Sequence, residues 1–338
     1  MRTTLLSCLA VCALSGAGCG GAGNAETDQV SEQPLATGLS LLPDAPELRR
    51  HVLVADLARL RHAYPEAGAF RDALVGVWLP DALTGADRGL WRTSFGLQLD
   101  DISSFVSGGF HPAEVTVAEG TFAPALIRGA LTRFGYRARG STMERGADGS
   151  LDPSTEAGRL VLSALNRVIL SPTRVTAAST LALARATDSP ARTLAADGDF
   201  AAAAAALDQI TSAVVLDASL VRPPSGVPTP ILPDFPARLV AVGIDDQGPQ
   251  SRTVKIALVY GDLEQARSDA ALIERDLAST SLPGAEGERF SDIAPEWRVA
   301  ADGRAVIITA MLPTNGDPGT WRLLVERGDL GPLVRPAR

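Results

Sequence analysis

Few residues in this 338-residue chain combine a reactive type with a spacing that chemistry could use. The three histidines are His51, His62 and His111. His51 and His62 stand eleven positions apart across an expected strand-to-helix junction, not at the four-residue helical spacing with which two imidazoles share a metal. The three cysteines, Cys8, Cys12 and Cys19, all fall in the first nineteen residues, so no thiolate further on can complete a zinc site. No metal or other cofactor is therefore expected. A Gly-x-Ser-x-Gly nucleophile turn is absent, and Ser107-Gly108-Gly109 lies in a strand-like run without that context. Gly16, Gly18 and Gly21 match a dinucleotide-binding spacing, but no strand precedes them and no helix follows.

Carboxylates offer more. Asp100-Asp101 and Asp245-Asp246 are adjacent pairs, yet neighbours on a strand point to opposite faces, so their setting beside turns reads as turn formation and solvation. Asp56 and Asp217 are the more telling acids because each ends an equivalent apolar run. Val52-Leu53-Val54-Ala55-Asp56 matches Ala213-Val214-Val215-Leu216-Asp217. Both read first as strand-end caps, accepting from the backbone amides that follow, and second as weak candidates for a ligand site.

The elements that must carry these residues occur twice in the same order. After the opening strand each copy has a β-hairpin: 102–110 and 114–122 around His111-Pro112, then 238–245 and 253–260 around Gln247-Gly248-Pro249. A helix follows each hairpin. One starts at Pro124, with Leu126, Ile127, Ala130, Leu131 and Phe134 on a face and Gly135 as the stop; the other is capped by Asp262, with Leu263, Ala266, Ala270, Ile273 and Leu277 at helical spacing. Each copy closes on further β structure, 136–143, 167–170 and 174–178 in the first, 297–300 and 304–312 around Asp302-Gly303 in the second.

The pattern predicts an α+β fold of largely antiparallel sheets with helices on one face, built as a tandem duplication of a strand, hairpin, helix and hairpin unit. Residues 44–198 form the first half, 199–330 the second and 331–338 a tail. A helix over 70–78, a loop holding Trp91, an Ala-rich helix over 200–210 capped by Asp199, and a stiff connector over 222–236 with six prolines complete the reading. Trp78, Trp91, Trp297 and Trp321 are too scattered to form a ligand box and read as packing residues. Arg137 and Arg139 would share one face of a strand and discourage edge pairing.

Composition narrows the function classes. A net charge of -8 with no basic stripe excludes a nucleic-acid role, and Lys255 is the only lysine beside thirty arginines. An apolar fraction of 46% is sufficient for a packed core, which must hold without disulfides.

The amino terminus is the most specific segment. Met1-Arg2 is a short positive region, 5–14 an apolar run about half the length of a membrane span, and Leu14-Ser15-Gly16-Ala17-Gly18-Cys19 follows. These residues resemble the bacterial lipobox, with Ala17 and Gly18 at its two small positions and Gly16 where Leu is usual. The resemblance implies a lipoprotein signal peptide over 1–18, lipidation of Cys19, and a flexible tether over 19–43. It implies a cell-envelope location and, since residue 20 is Gly and not Asp, the outer membrane if the bacterium is Gram-negative. The remainder resembles uncharacterised duplicated α+β lipoproteins of GC-rich bacteria, through Val54-Ala55-Asp56-Leu57 and Ser107-Gly108-Gly109-Phe110, and that likeness brings no catalytic residue. The expected partners are the membrane, through the lipid, and a protein or small apolar molecule. A non-enzymatic binding or structural module is the leading function. An envelope hydrolase, with Asp56 and Asp217 converging, and a lipid carrier, with an enclosed apolar cavity, are the alternatives.

Overall fold

The computed structural model describes residues 33–80, 88–154, 158–159, 164–221, 237–279, 289–313 and 318–327. Cys19 with its leader, the proline-rich connector 222–236 and the tail 331–338 lie outside the described residues. The chain is α+β, an antiparallel sheet carrying helices.

The two matched apolar runs are strands β1 (His51–Asp56) and β8 (Ser212–Asp217), and they lie side by side, antiparallel. The first hairpin is β2 (Ile102–Phe110) with β3 (Ala113–Gly120), and its counterpart is β9 (Ala237–Asp246) with β10 (Arg252–Tyr260). The closing hairpins are β6 (Arg167–Leu170) with β7 (Arg174–Ala178), and β11 (Glu296–Asp302) with β12 (Ala305–Met311). A short extra hairpin, β4 (Arg137–Arg139) with β5 (Thr142–Glu144), lies in the first half and has no counterpart among the described residues of the second. The twelve strands among the described residues join one sheet, in the order β11-β12-β10-β9-β8-β1-β2-β3-β7-β6-β5-β4. Read outward from β1 and β8, the two halves present the same strands in the same order. β4 sits at the edge with Arg137 and Arg139 exposed.

The register of the central pair makes the repeat a two-fold arrangement. Val52 and Ala213 are 161 positions apart, and so are Asp56 and Asp217. His51 pairs with Leu216, and exchanging each for its counterpart 161 positions away produces Ser212 against Ala55, which is also an observed pair. Leu53 lies opposite its own counterpart, Val214, so the pseudo-two-fold axis passes between them.

Alternation along the strands sends side chains into two cores. Leu53, Phe105, Val214 and Val240 enter the larger one; Val52, Val54, Val106 and Val215 enter the other. The larger core is covered by α2 (Leu57–Ala63), α3 (Ala67–Ala73), α4 (Arg88–Phe95), α5 (Pro124–Arg133), α8 (Leu263–Asp276), α9 (Phe290–Ile293) and α10 (Pro318–Arg327). The helices that follow the two hairpins, α5 and α8, thus share one face. The opposite face is also covered, by α1 (Pro34–Leu39), α6 (Leu181–Asp188) and α7 (Gly198–Ala206).

Three local expectations need correction. Residues 34–43, assigned to the tether, belong to the body: Leu35, Leu39 and Leu42 are buried in the second core. Helix α1 comes so close to β1 that a Cβ on Gly38 would lie 2.9 Å from Val54 Cγ2. The Ala-rich helix is capped by Asp197, whose carboxylate accepts from the amides of Asp199 and Phe200, while Asp199 instead pairs with Arg304. Trp91 sits in α4, and its ring packs on Phe95 with centroids 4.9 Å apart.

Because α1 contributes to the core, Leu39→Ala should lower the unfolding free energy by about 2–5 kcal/mol, as for other buried leucines. Urea denaturation checks this, and an unchanged midpoint would return residues 34–43 to the tether.

Candidate functional site

At one end of the central pair Asp56 closes β1 and caps α2, its buried carboxylate accepting from the Arg59 amide at 2.8 Å. The Arg59 guanidinium turns across to the second half, donating to the Gln209 carbonyl at 2.9 Å and lying 3.9 Å from Asp245. Burial pushes the Asp245 carboxyl above its ordinary value, against the hydrogen bond from the Gln247 side chain and the nearby charge of Arg59.

Beside it a second network bridges the halves. The Tyr64 hydroxyl, at the end of α2, donates to Asp246 Oδ1 at 2.7 Å and accepts from Arg252 Nη2 at 2.7 Å. Arg252 also lies 3.4 Å from the Asp246 carboxylate. Asp246 receives the Gly248 amide at 3.1 Å, and Thr211 Oγ1 accepts from the Asp246 amide at 2.9 Å. The expected turn role of Asp245-Asp246 is therefore present, and of the bonds at Asp246 the one from Tyr64 crosses between halves. No sequence signal could have found that network, because its members lie 182 and 188 positions apart.

The chemistry available here is limited. Burial, then the bond to Asp246, raise the Tyr64 phenol to about 12, so it stays protonated. For Arg252 burial works against the charge, but the hydrogen bond it donates to Tyr64 and the charge of Asp246 outweigh it and raise its value. An acid or base poised near neutrality is not what these shifts produce.

Asp217 lies at the other end of the pair. It caps the short 3-10 turn Ala218–Leu220, accepting from the Ser219 amide at 2.8 Å. The antiparallel pairing is what separates the two acids. The Asp56 amide donates to the Thr211 carbonyl, and Asp217 is six residues further along β8, roughly 20 Å away at strand rise. The sequence-derived candidates Asp56 and Asp217 do not meet in one pocket. The capping role expected of both is what the structure shows.

The other candidates are placed as follows. His51 stacks on Phe110 with ring centroids 4.5 Å apart, and His62 lies in the last turn of α2. Among the described residues no group of three or more His, Cys, Asp or Glu could hold a metal ion. Asp101 accepts from the Gln98 amide at 3.2 Å. Trp78, Trp91 and Trp321 are buried in the larger core, and Trp297 packs partly against it. An apolar cavity beside Trp91, lined by Leu97, Ile102, Leu165 and Val175, measures about 30 Å³.

No protein-family model matches the chain, and no curated protein matches it. Among solved structures it is similar to crystal form I of TP0453, at 9% identity and a TM-score of 0.45, over 88% of this chain and 99% of that one. Crystal form IV of TP0453 aligns at 9% identity and a TM-score of 0.38, over 86% of this chain and 96% of that one.

All three tyrosines are buried, and all are raised by that burial: Tyr64 and Tyr136 to about 12, Tyr260 further, with Asp269 beside it. A phenol whose folded value exceeds its unfolded value of 10 stabilises the fold fully below pH 10. That contribution is lost as pH rises through 12. The ultraviolet titration of the folded chain should show no phenol ionising near pH 10, and urea stability should fall steeply only between about pH 10 and 12. Tyr64→Phe should cost about 1–3 kcal/mol at neutral pH and make the alkaline fall shallower. A phenol titrating at its ordinary value while circular dichroism stays native would contradict this.

Proposed function

We propose that this chain is a lipid-anchored protein of the bacterial cell envelope, tethered through Cys19, whose body is a non-enzymatic binding or structural module. The anchor rests on the order of a positive start, an apolar run and Gly16-Ala17-Gly18-Cys19. Two or more acyl chains hold a folded domain at a membrane where a single chain would not. With Gly at position 20, the outer membrane is the destination in a Gram-negative cell.

The reading of the body is carried by one observation: the repeated acids Asp56 and Asp217 stand at opposite ends of the central strand pair, each committed to capping the backbone that follows it. A hydrolase built on that repeat would need them in one concave site. The lipid-carrier alternative asks for a different feature, a cavity the size of an acyl chain. The space beside Trp91, about 30 Å³, has room for one or two waters and not for such a chain.

Two measurements test these statements. Radiolabelled palmitate should enter the wild-type chain and not Cys19→Ala, which should also leave the membrane fraction. Label retained by the variant would sink the anchor. Native mass spectrometry of the unlipidated chain should show the bare polypeptide mass, whereas a co-purifying lipid would revive the carrier reading.

A further inference from the structure

The exposed side of α5 borders two connected concavities. One, of about 420 Å³, lies against α4 and is lined by Arg92, Gln98 and Arg133 above the small residues Gly96, Ala125 and Gly129. The other, of about 550 Å³, shares Ala125 and Gly129 and adds Arg128. A Cβ on Gly129 would meet only the Arg133 guanidinium, at 3.7 Å, so the small residues leave the trough open to a close backbone approach. Leu126, 70% exposed, stands beside them. The described lining residues carry three guanidiniums and no carboxylate, in a chain whose net charge is -8. None of the three guanidiniums makes an ion pair with a described residue, whereas Arg49, Arg145, Arg167, Arg174, Arg252 and Arg304 all do.

The chain carries a complement to this trough. The segment 20–32, outside the described residues, has Glu26, Asp28 and Glu32, no basic residue, one larger apolar side chain in Val30, and otherwise small or polar ones. We propose that the Arg92, Arg128 and Arg133 trough binds the acidic segment 20–32 of a second copy of this chain, with the three carboxylates on the guanidiniums and Val30 against Leu126. The reach is sufficient: Glu26 to Glu32 spans about 20 Å when extended, and the ten residues of α5 about 15 Å. A second copy is the occupant because of where the segment joins the body. It enters at α1, on the face opposite α5, so its own trough lies across the sheet while a neighbour's is accessible directly. Donor and acceptor surfaces differ, which makes the contact head-to-tail and able to continue from copy to copy. The trough shares no residue with the cross-half network, and the contact does not require lipidation.

Sedimentation of the chain expressed without residues 1–18 and carrying Cys19→Ser tests this. At low salt the average mass should grow with concentration beyond that of a dimer, and 1 M salt should reverse it. Arg128→Glu with Arg133→Glu should weaken the association by about tenfold or more, and so should Glu26→Arg with Asp28→Arg and Glu32→Arg. Arg128 and Arg133 are exposed, and an unchanged melting temperature for each variant confirms that the fold is intact. Mixing the groove-reversed and tether-reversed variants should restore association, because each then offers the other its complement. The proposal is overturned if the wild type stays monomeric at every concentration, which includes docking of each segment on its own body. It is also overturned if tether reversal has no effect while groove reversal abolishes binding to phosphatidylglycerol vesicles, which would make the arginines a membrane contact.

Discussion

The antiparallel pairing of β1 with β8 is the constraint on which the rest of this structure depends. Both strands are buried on both faces, so their side chains feed both cores at once. A slip of one residue in that pair would exchange the two sets and place every valine in the wrong layer. The observed register is also the one that maps onto itself when the halves are exchanged. Once it is set, each hairpin extends the sheet outward from its own central strand, and the twelve strands of the described residues pair antiparallel throughout.

The same pairing decides what the repeated acids can do. Equivalent positions on antiparallel neighbours move to opposite ends, so duplication here separates Asp56 from Asp217. Each end then acquires its own surroundings. At the Asp56 end Tyr64 of the first half joins Asp246 and Arg252 of the second, and Thr211 holds the Asp246 backbone, so that buried polar groups costly to leave unpaired are satisfied. The halves also diverge in their covering. Val115 opposite Ala178 is buried near α6, whereas the corresponding pair is Lys255 opposite Thr309, where the ammonium reaches Asp208. One apolar patch of the first half has become a polar one in the second.

Much of the architecture was legible because it is written locally. Asp262 three residues before Gln265, Pro124 at a first helical position, Gly135 with φ +89° and Asp302-Gly303 between alternating runs each act within a few residues, and all appear where the spacing puts them. Helix α1 was missed although Leu35, Leu39 and Leu42 have helical spacing, because six residues after a polar, small-residue stretch are too few for periodicity to stand out. The shift of the cap from Asp199 to Asp197 is of the same kind. Two acids bracket Gly198, and only the backbone turn determines which carboxylate meets the free amides.

The sequence by itself determined the repeated unit, its antiparallel α+β character and the lipobox-like start, since each is a matter of residue type over short spans. Only the tertiary structure decided that the halves meet through their first strands, that both faces of the sheet are covered, that Asp56 and Asp217 lie apart, and that three arginines from two helices line one trough. Those facts depend on which distant segments become neighbours. Burial of apolar area drives segments together without naming partners, so contacts across 182 positions are set by the whole core and leave no local trace.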